Sequence, residues 1–122
     1  MTVTEAIGTI NRLYPNDCQD EEKILWLQKM DEKIQKELFS LYQQNEKNPL
    51  PDYAQAEEDV ALLIESPYDL LYLYELQARL AYWQGDMDVY NRAKVLYQNI
   101  YQAYEREYHR THKPIAEHGF LF

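Results

Sequence analysis

"SPYDLLYLYELQARLAYWQGDMDVYNRAKVLYQNIYQAYEREYHRTHKP" runs from Ser66 to Pro114, and its punctuation decides the fold class. Ser66 stands as an N-cap, Pro67 at the first helical position and Asp69 in the first turn, residue types that favour a helix start. The run that follows is apolar on nearly every side and leaves only Asp69, Glu75, Gln77 and Arg79 for water or a partner. Such a pattern marks a central helix, or one covered on two faces. Gly85 closes it, because glycine takes the left-handed C-terminal conformation without a Cβ penalty, and Asp86 or Asp88 caps the next helix. That last helix extends to about His112 and stops before Pro114, which gives an antiparallel hairpin.

Tyr90, Tyr97, Tyr101, Tyr104 and Tyr108 are spaced by seven, four, three and four residues, so they share one helical face with Ala93 and Ile100. Stacked single-stranded bases would suit such a column, but a base platform needs a basic surround. Packing on the preceding helix or on another subunit is the favoured reading, with Tyr68, Tyr72, Tyr74, Tyr82 and Trp83 as the aromatic counterpart.

Toward the N-terminus, Thr2 and Glu5 have capping-box spacing, Val3, Ile7, Ile10 and Tyr14 share a face, and Pro15 ends a short helix. "DEEKILWLQKMDEKIQKELFSLYQQ" then opens with acids that suit the positive end of a helix. Its apolar positions Ile24, Leu27, Met30, Ile34, Leu38 and Leu41 predict an amphipathic helix of about six turns. From Asn45 to Glu65 the pattern breaks around Pro49 and Pro51, and "VALLI" reads as either a helical turn or an extended segment on the core. An irregular stretch of that length in a compact domain usually works as a loop with a function.

With 122 residues, 46% hydrophobic content and only three glycines, the chain has the size of one domain and the composition of an all-helical one. The formal net charge is −9, and residues 1–65 hold fourteen acids against six bases, a net of −8. Such a surface repels phosphate and disfavours groove-reading of nucleic acid or docking on an anionic membrane. From Asn91 onward the sign reverses, through Arg92, Lys94, Arg106, Arg110 and Lys113 against Glu105, Glu107 and Glu117. Cys18 is the single cysteine, so no internal disulfide or thiolate cluster is expected, and neighbouring acids raise its pKa. Neither a signal peptide nor an apolar run near the length of a membrane span is visible, so a soluble protein is expected.

The chemistry-bearing residues give little purchase for catalysis. Glu105, His109 and His112 lie at helical spacing, but the zinc-helix arrangement of two histidines four apart with an intervening glutamate is missing. Asp20, Glu21 and Glu22, and likewise Glu57, Glu58 and Asp59, lack the alternating ligand spacing and glycine of a calcium loop and read as solvated starts of elements. A phosphate-binding glycine loop, a serine elbow and convincingly paired carboxylates are also missing. No cofactor is expected, and no enzyme. Phe120, Leu121 and Phe122 stand apart: they are either folded back on their own domain or inserted into another's.

Taken in order, "PYD" at Pro67 to Asp69, "LYLY" at Leu71 to Tyr74, "QGD" at Gln84 to Asp86, Tyr90-Asn91, and Tyr108, Arg110, Thr111, His112 and Pro114 carry a resemblance. The chain resembles the small head-tail adaptor (connector) proteins of tailed phages and prophages of Gram-positive bacteria. The N-terminal half matches more loosely, through Trp26-Leu27 and "MDEKI" at Met30 to Ile34. Departures from the pattern are Arg92-Ala93 after "YN", His109 before Arg110, and the apolar continuation after Pro114. The resemblance implies a structural virion protein at the head-tail interface, assembled in the host cytoplasm. It would form a homo-oligomeric ring of about a dozen copies under the portal after DNA packaging, then carry the stopper and tail proteins.

The expectation is therefore a single all-α domain, a small four-helix bundle with a long loop between its second and third helices and a long C-terminal helical hairpin. Assembly contacts are expected in the loop, at Asp52, Tyr53, Glu57, Glu58 and Asp59, and in the C-terminal segment, at Arg110, His112, Lys113, Phe120, Leu121 and Phe122. Partners would be other copies, the portal and stopper or tail proteins, with no sequence-specific nucleic acid and no membrane; an acidic lumen would pass DNA without gripping it. The alternative is a helical scaffold module that binds peptides on its hairpin, although stacked helical repeats need about three units to share a core.

Overall fold

The computed structural model describes residues 1–42 and 49–112, and within them the chain is an all-α bundle of four helices: α1 (Val3–Leu13), α2 (Asp20–Glu37), α3 (Leu70–Gln84) and α4 (Met87–Thr111). α3 and α4 form the expected antiparallel hairpin and share the most extensive contact, while α1 and α2 pack on α3. Gly85 adopts the left-handed conformation, φ 78°, and the Asp86 carboxylate accepts from the Val89 amide to start α4. At the other end of the chain, the Thr2 hydroxyl accepts from the Glu5 amide and Glu5 accepts from the Thr2 amide, a complete capping box.

The core runs through all the elements: Val3, Ala6, Ile7 and Ile10 of α1, Trp26, Leu27, Met30 and Ile34 of α2, Leu71, Tyr72, Leu76 and Leu80 of α3, and Tyr97 of α4. Ala93 and Tyr108 are also buried, and Tyr101 and Tyr104 half-buried, so the tyrosine face of α4 packs inward. Tyr97 and Tyr101 stack at 6.0 Å, and Tyr68 meets Tyr104 edge-on at 5.4 Å. A smaller cluster of Leu38, Tyr42 and Tyr108 closes the far end of the bundle, with Phe39 stacked on Tyr108 at 4.9 Å.

Two sequence expectations change, and one open alternative is decided. α2 is shorter than six turns: the backbone leaves the α-helix at Leu38 (φ −117°, ψ −57°) and tightens to a 3-10 turn over Phe39–Leu41. That turn sends Leu38 and Tyr42 onto Tyr108 and leaves Leu41 exposed. α3 starts at Leu70, not behind a Ser66 cap; the Ser66–Pro67 peptide is cis, and residues 66–69 are turns closed by Tyr68 N–H to Glu65 O and Leu71 N–H to Tyr68 O. The "VALLI" run is extended: Ala61 bridges Thr2, with Val3 N–H donating to Val60 O and Leu62 N–H to Met1 O, and Leu62 and Ile64 enter the core.

Candidate functional site

The loop expected to reach a neighbour is docked on its own subunit from residue 49 onward. Gln28 of α2 clamps it twice, donating to Pro51 O at 3.1 Å and accepting from the Tyr53 amide at 2.7 Å. Tyr53 is a correction to the predicted assembly set: it is buried, and its hydroxyl donates to Asp31 at 2.6 Å. An aromatic ring beside Gln28 and over the apolar stripe of α2 gains more from burial than from solvent.

Asp31 is the centre of this anchorage and has no exposed surface. One carboxylate oxygen accepts from the Tyr72 hydroxyl at 2.6 Å; the other accepts from Tyr53 and from the Leu63 amide at 3.1 Å. Tyr72 in turn accepts from the Ile64 amide at 2.9 Å. Burial pushes the Asp31 carboxyl above the ordinary carboxylate range and outweighs these hydrogen bonds, while burial and the neighbouring carboxylate push both phenols up. Sequence reasoning passed over Asp31 because it sits in the charged run "KMDEK". The available signal was its register, four residues after Leu27 and three before Ile34, on the apolar stripe. Lys23 is also buried on that stripe, with its ammonium donating to Cys18 O at 2.8 Å and to Asp20 at 3.2 Å.

The remaining predicted residues are scattered. Asp52, Glu57 and Glu58 are exposed. Asp59 is exposed but occupied: hydrogen bonds from the Thr2 hydroxyl and the Thr4 amide, the latter at 3.1 Å, hold its carboxyl below the usual range. Arg110 is exposed and paired with Glu107 at 2.5 Å. His112 stacks on Tyr108 at 3.7 Å, and the neighbouring His109 shares a hydrogen bond between its Nδ1 and the Tyr42 hydroxyl. Lys113, Phe120, Leu121 and Phe122 lie outside the described residues. The loop acids and the α4 end are thus not brought together into one site. Burial raises the Cys18 thiol pKa, in the direction its acidic neighbours led one to expect.

A different surface emerges at the α3–α4 turn. Tyr82 and Trp83, assigned by sequence to the packed aromatic layer, are 61% and 63% exposed. Their positions at the last turn of α3 carry them past the end of the layer, and they line an open cleft with Trp26, Arg79, Tyr90 and Lys94. Trp83 meets Trp26 edge-on at 6.0 Å, Tyr82 lies 5.4 Å from Tyr90, and the Arg79 guanidinium lies over Trp26 at 5.6 Å. Glu75 at the cleft wall is buried and pairs with Arg79 at 2.9 Å and Lys94 at 3.5 Å. Exposed Met87 begins α4 at the same turn, and next to exposed Leu13 burial, then the Asp86 carboxylate, push the Tyr14 phenol up. Contiguous exposed aromatic and apolar residues of this kind mark an interaction surface.

Among the described residues, no group of three His, Cys, Asp or Glu side chains could hold a metal ion, and no helix is long and apolar enough to cross a membrane. Comparison with protein-family models, with curated proteins and with solved structures gives no match.

Proposed function

We propose that this chain is a non-enzymatic assembly subunit, a head-tail adaptor that rings the underside of a phage portal after DNA packaging and carries the stopper and tail proteins. The observation that carries the assembly role is the solvent-facing aromatic surface at the α3–α4 turn, where Tyr82 and Trp83 remain largely exposed. Burying such rings against a partner releases roughly 25 cal/mol for each Å² of apolar surface covered. The ordered pattern from Pro67 to Pro114, on the hairpin that presents this surface, supports the narrower adaptor reading. Exposed acids at Asp52, Glu57 and Glu58 suit a ring through which DNA passes without being held.

The adaptor reading expects a portal gene in the same cluster, and the test is to mix the purified protein with that portal protein and measure mass by light scattering, alone and together. The adaptor reading expects a portal-dependent complex of many copies and no binding to duplex DNA at physiological salt. Absence of any complex with the portal, together with capture of a helical peptide by the hairpin, would favour the scaffold-module reading.

A further inference from the structure

The cleft at the α3–α4 turn is aromatic and also electropositive: one carboxylate, Glu75, faces two cations, Arg79 and Lys94, in a chain whose formal net charge is −9. A fitting occupant therefore combines large apolar side chains with an acid. The sequence "EHGFLF", Glu117 to Phe122, has that composition, three bulky apolar residues shortly after a glutamate. We propose that the cleft of one copy receives residues 117–122 of a second copy, with Phe120, Leu121 and Phe122 against Tyr82 and Trp83, and Glu117 facing Arg79 and Lys94.

Geometry argues for a second copy over the same chain. At the helical rise per residue, Thr111 at the end of α4 lies about 26 Å along the axis from Lys94 and about 32 Å from Tyr90. The nine residues from Thr111 to Phe120 span at most about 32 Å when fully stretched, which leaves nothing for crossing from α4 to the rings of α3. The groove nearest the end of α4 is lined by Glu65 and Glu107 with Tyr68, Tyr104 and His112, and Arg110 there is already held by Glu107, so it offers an acidic segment less than the cleft does. Docking between copies uses two different surfaces, a cleft and a segment, and such a head-to-tail contact either closes into a ring or propagates as a filament. The inference rests on the assembly reading above and names one of its contacts.

Two full-length variants test it by sedimentation velocity over a wide concentration range. Tyr82→Ser with Trp83→Ala removes the cleft rings, and Phe120→Asp with Phe122→Asp removes the inserted side chains. Wild-type protein is expected to associate progressively as concentration rises, and each variant to stay monomeric. An equimolar mixture of the two variants is expected to form dimers and nothing larger, because only one competent cleft and one competent segment remain. Unchanged circular dichroism in each variant guards against misfolding. In the full chain, Glu117→Lys is expected to weaken self-association about two- to five-fold, as for a solvent-exposed ion pair. Wild-type protein that stays monomeric throughout, a segment variant that associates like wild type, or a mixture that stays monomeric would each overturn the proposal. A portal-dependent ring formed equally well by both variants would remove this contact and leave the adaptor reading in place.

Discussion

The two most chemically distinctive regions of the molecule treat aromatic rings in opposite ways. Around Asp31, Tyr53 and Tyr72 are buried and both phenols donate to one carboxylate, so the loop after α2 is tied to α2 and α3. Around Trp26, the rings of Tyr82 and Trp83 stand in solvent beside Arg79 and Lys94. Buried polar groups that find partners specify a fold, whereas exposed rings are a liability unless something covers them. The first region ties the loop into the fold; the second is the surface on which the proposed assembly role rests.

If that division is right, the largest effect on folding comes from Asp31→Ala. It leaves two buried hydroxyls and the Leu63 amide without their acceptor, and a loss of about 3 kcal/mol is expected in urea unfolding. Tyr72→Phe should follow at about 2 kcal/mol, because the Ile64 amide loses its acceptor as well, and Tyr53→Phe at about 1 kcal/mol. A knot that tolerated Asp31→Ala without loss would mean that packing alone holds the loop.

The pH dependence has a definite sign. Asp31 holds its proton more tightly when folded than unfolded, so its contribution is full below the ordinary carboxylate range and declines as pH rises through its raised folded value. The stability of wild type relative to Asp31→Asn, followed by unfolding between acidic and neutral pH, should therefore fall as pH increases. Asp20 and Asp59 act in the opposite sense: the Asn11 amide holds Asp20 down and Thr2 and Thr4 hold Asp59 down, so their contributions appear above that range and are lost as pH falls.

On the other side of the comparison, Tyr82→Ser with Trp83→Ala should cost about 1 kcal/mol of unfolding stability, from the lost ring contacts to Trp26 and Tyr90. The smallest effect is expected at Arg110, which among the described residues pairs with Glu107 at the surface. Arg110→Ala should leave the thermal midpoint unchanged and, if the α4 end touches the portal, lower only the affinity for it, as measured by a pull-down titration.

The helices and their ends were legible because local chemistry determines them. Thr2 with Glu5, Gly85 and Asp86 act within one turn of backbone, and tertiary packing had no reason to override them. Ser66 was misleading because its cap signal depends on Pro67 continuing into a helix, and the chain instead turns through 66–69 before α3 begins. Asp31 drew no reading of its own inside a charged run and Tyr53 was read as a loop contact for a neighbour, although Asp31 sits in the register of the buried stripe. The aromatic cleft was hidden for a related reason: periodicity assigns Tyr82 and Trp83 to a face, but whether a neighbouring element extends far enough to cover that face depends on where the elements end.

The most direct test compares portal-dependent assembly of wild type with that of the Tyr82→Ser, Trp83→Ala variant, by particle mass in light scattering at matched concentration. A variant that stays folded but no longer forms the multi-copy complex is the predicted result. A variant that assembles on the portal as wild type does would contradict the claim that the exposed rings at the α3–α4 turn are the assembly surface.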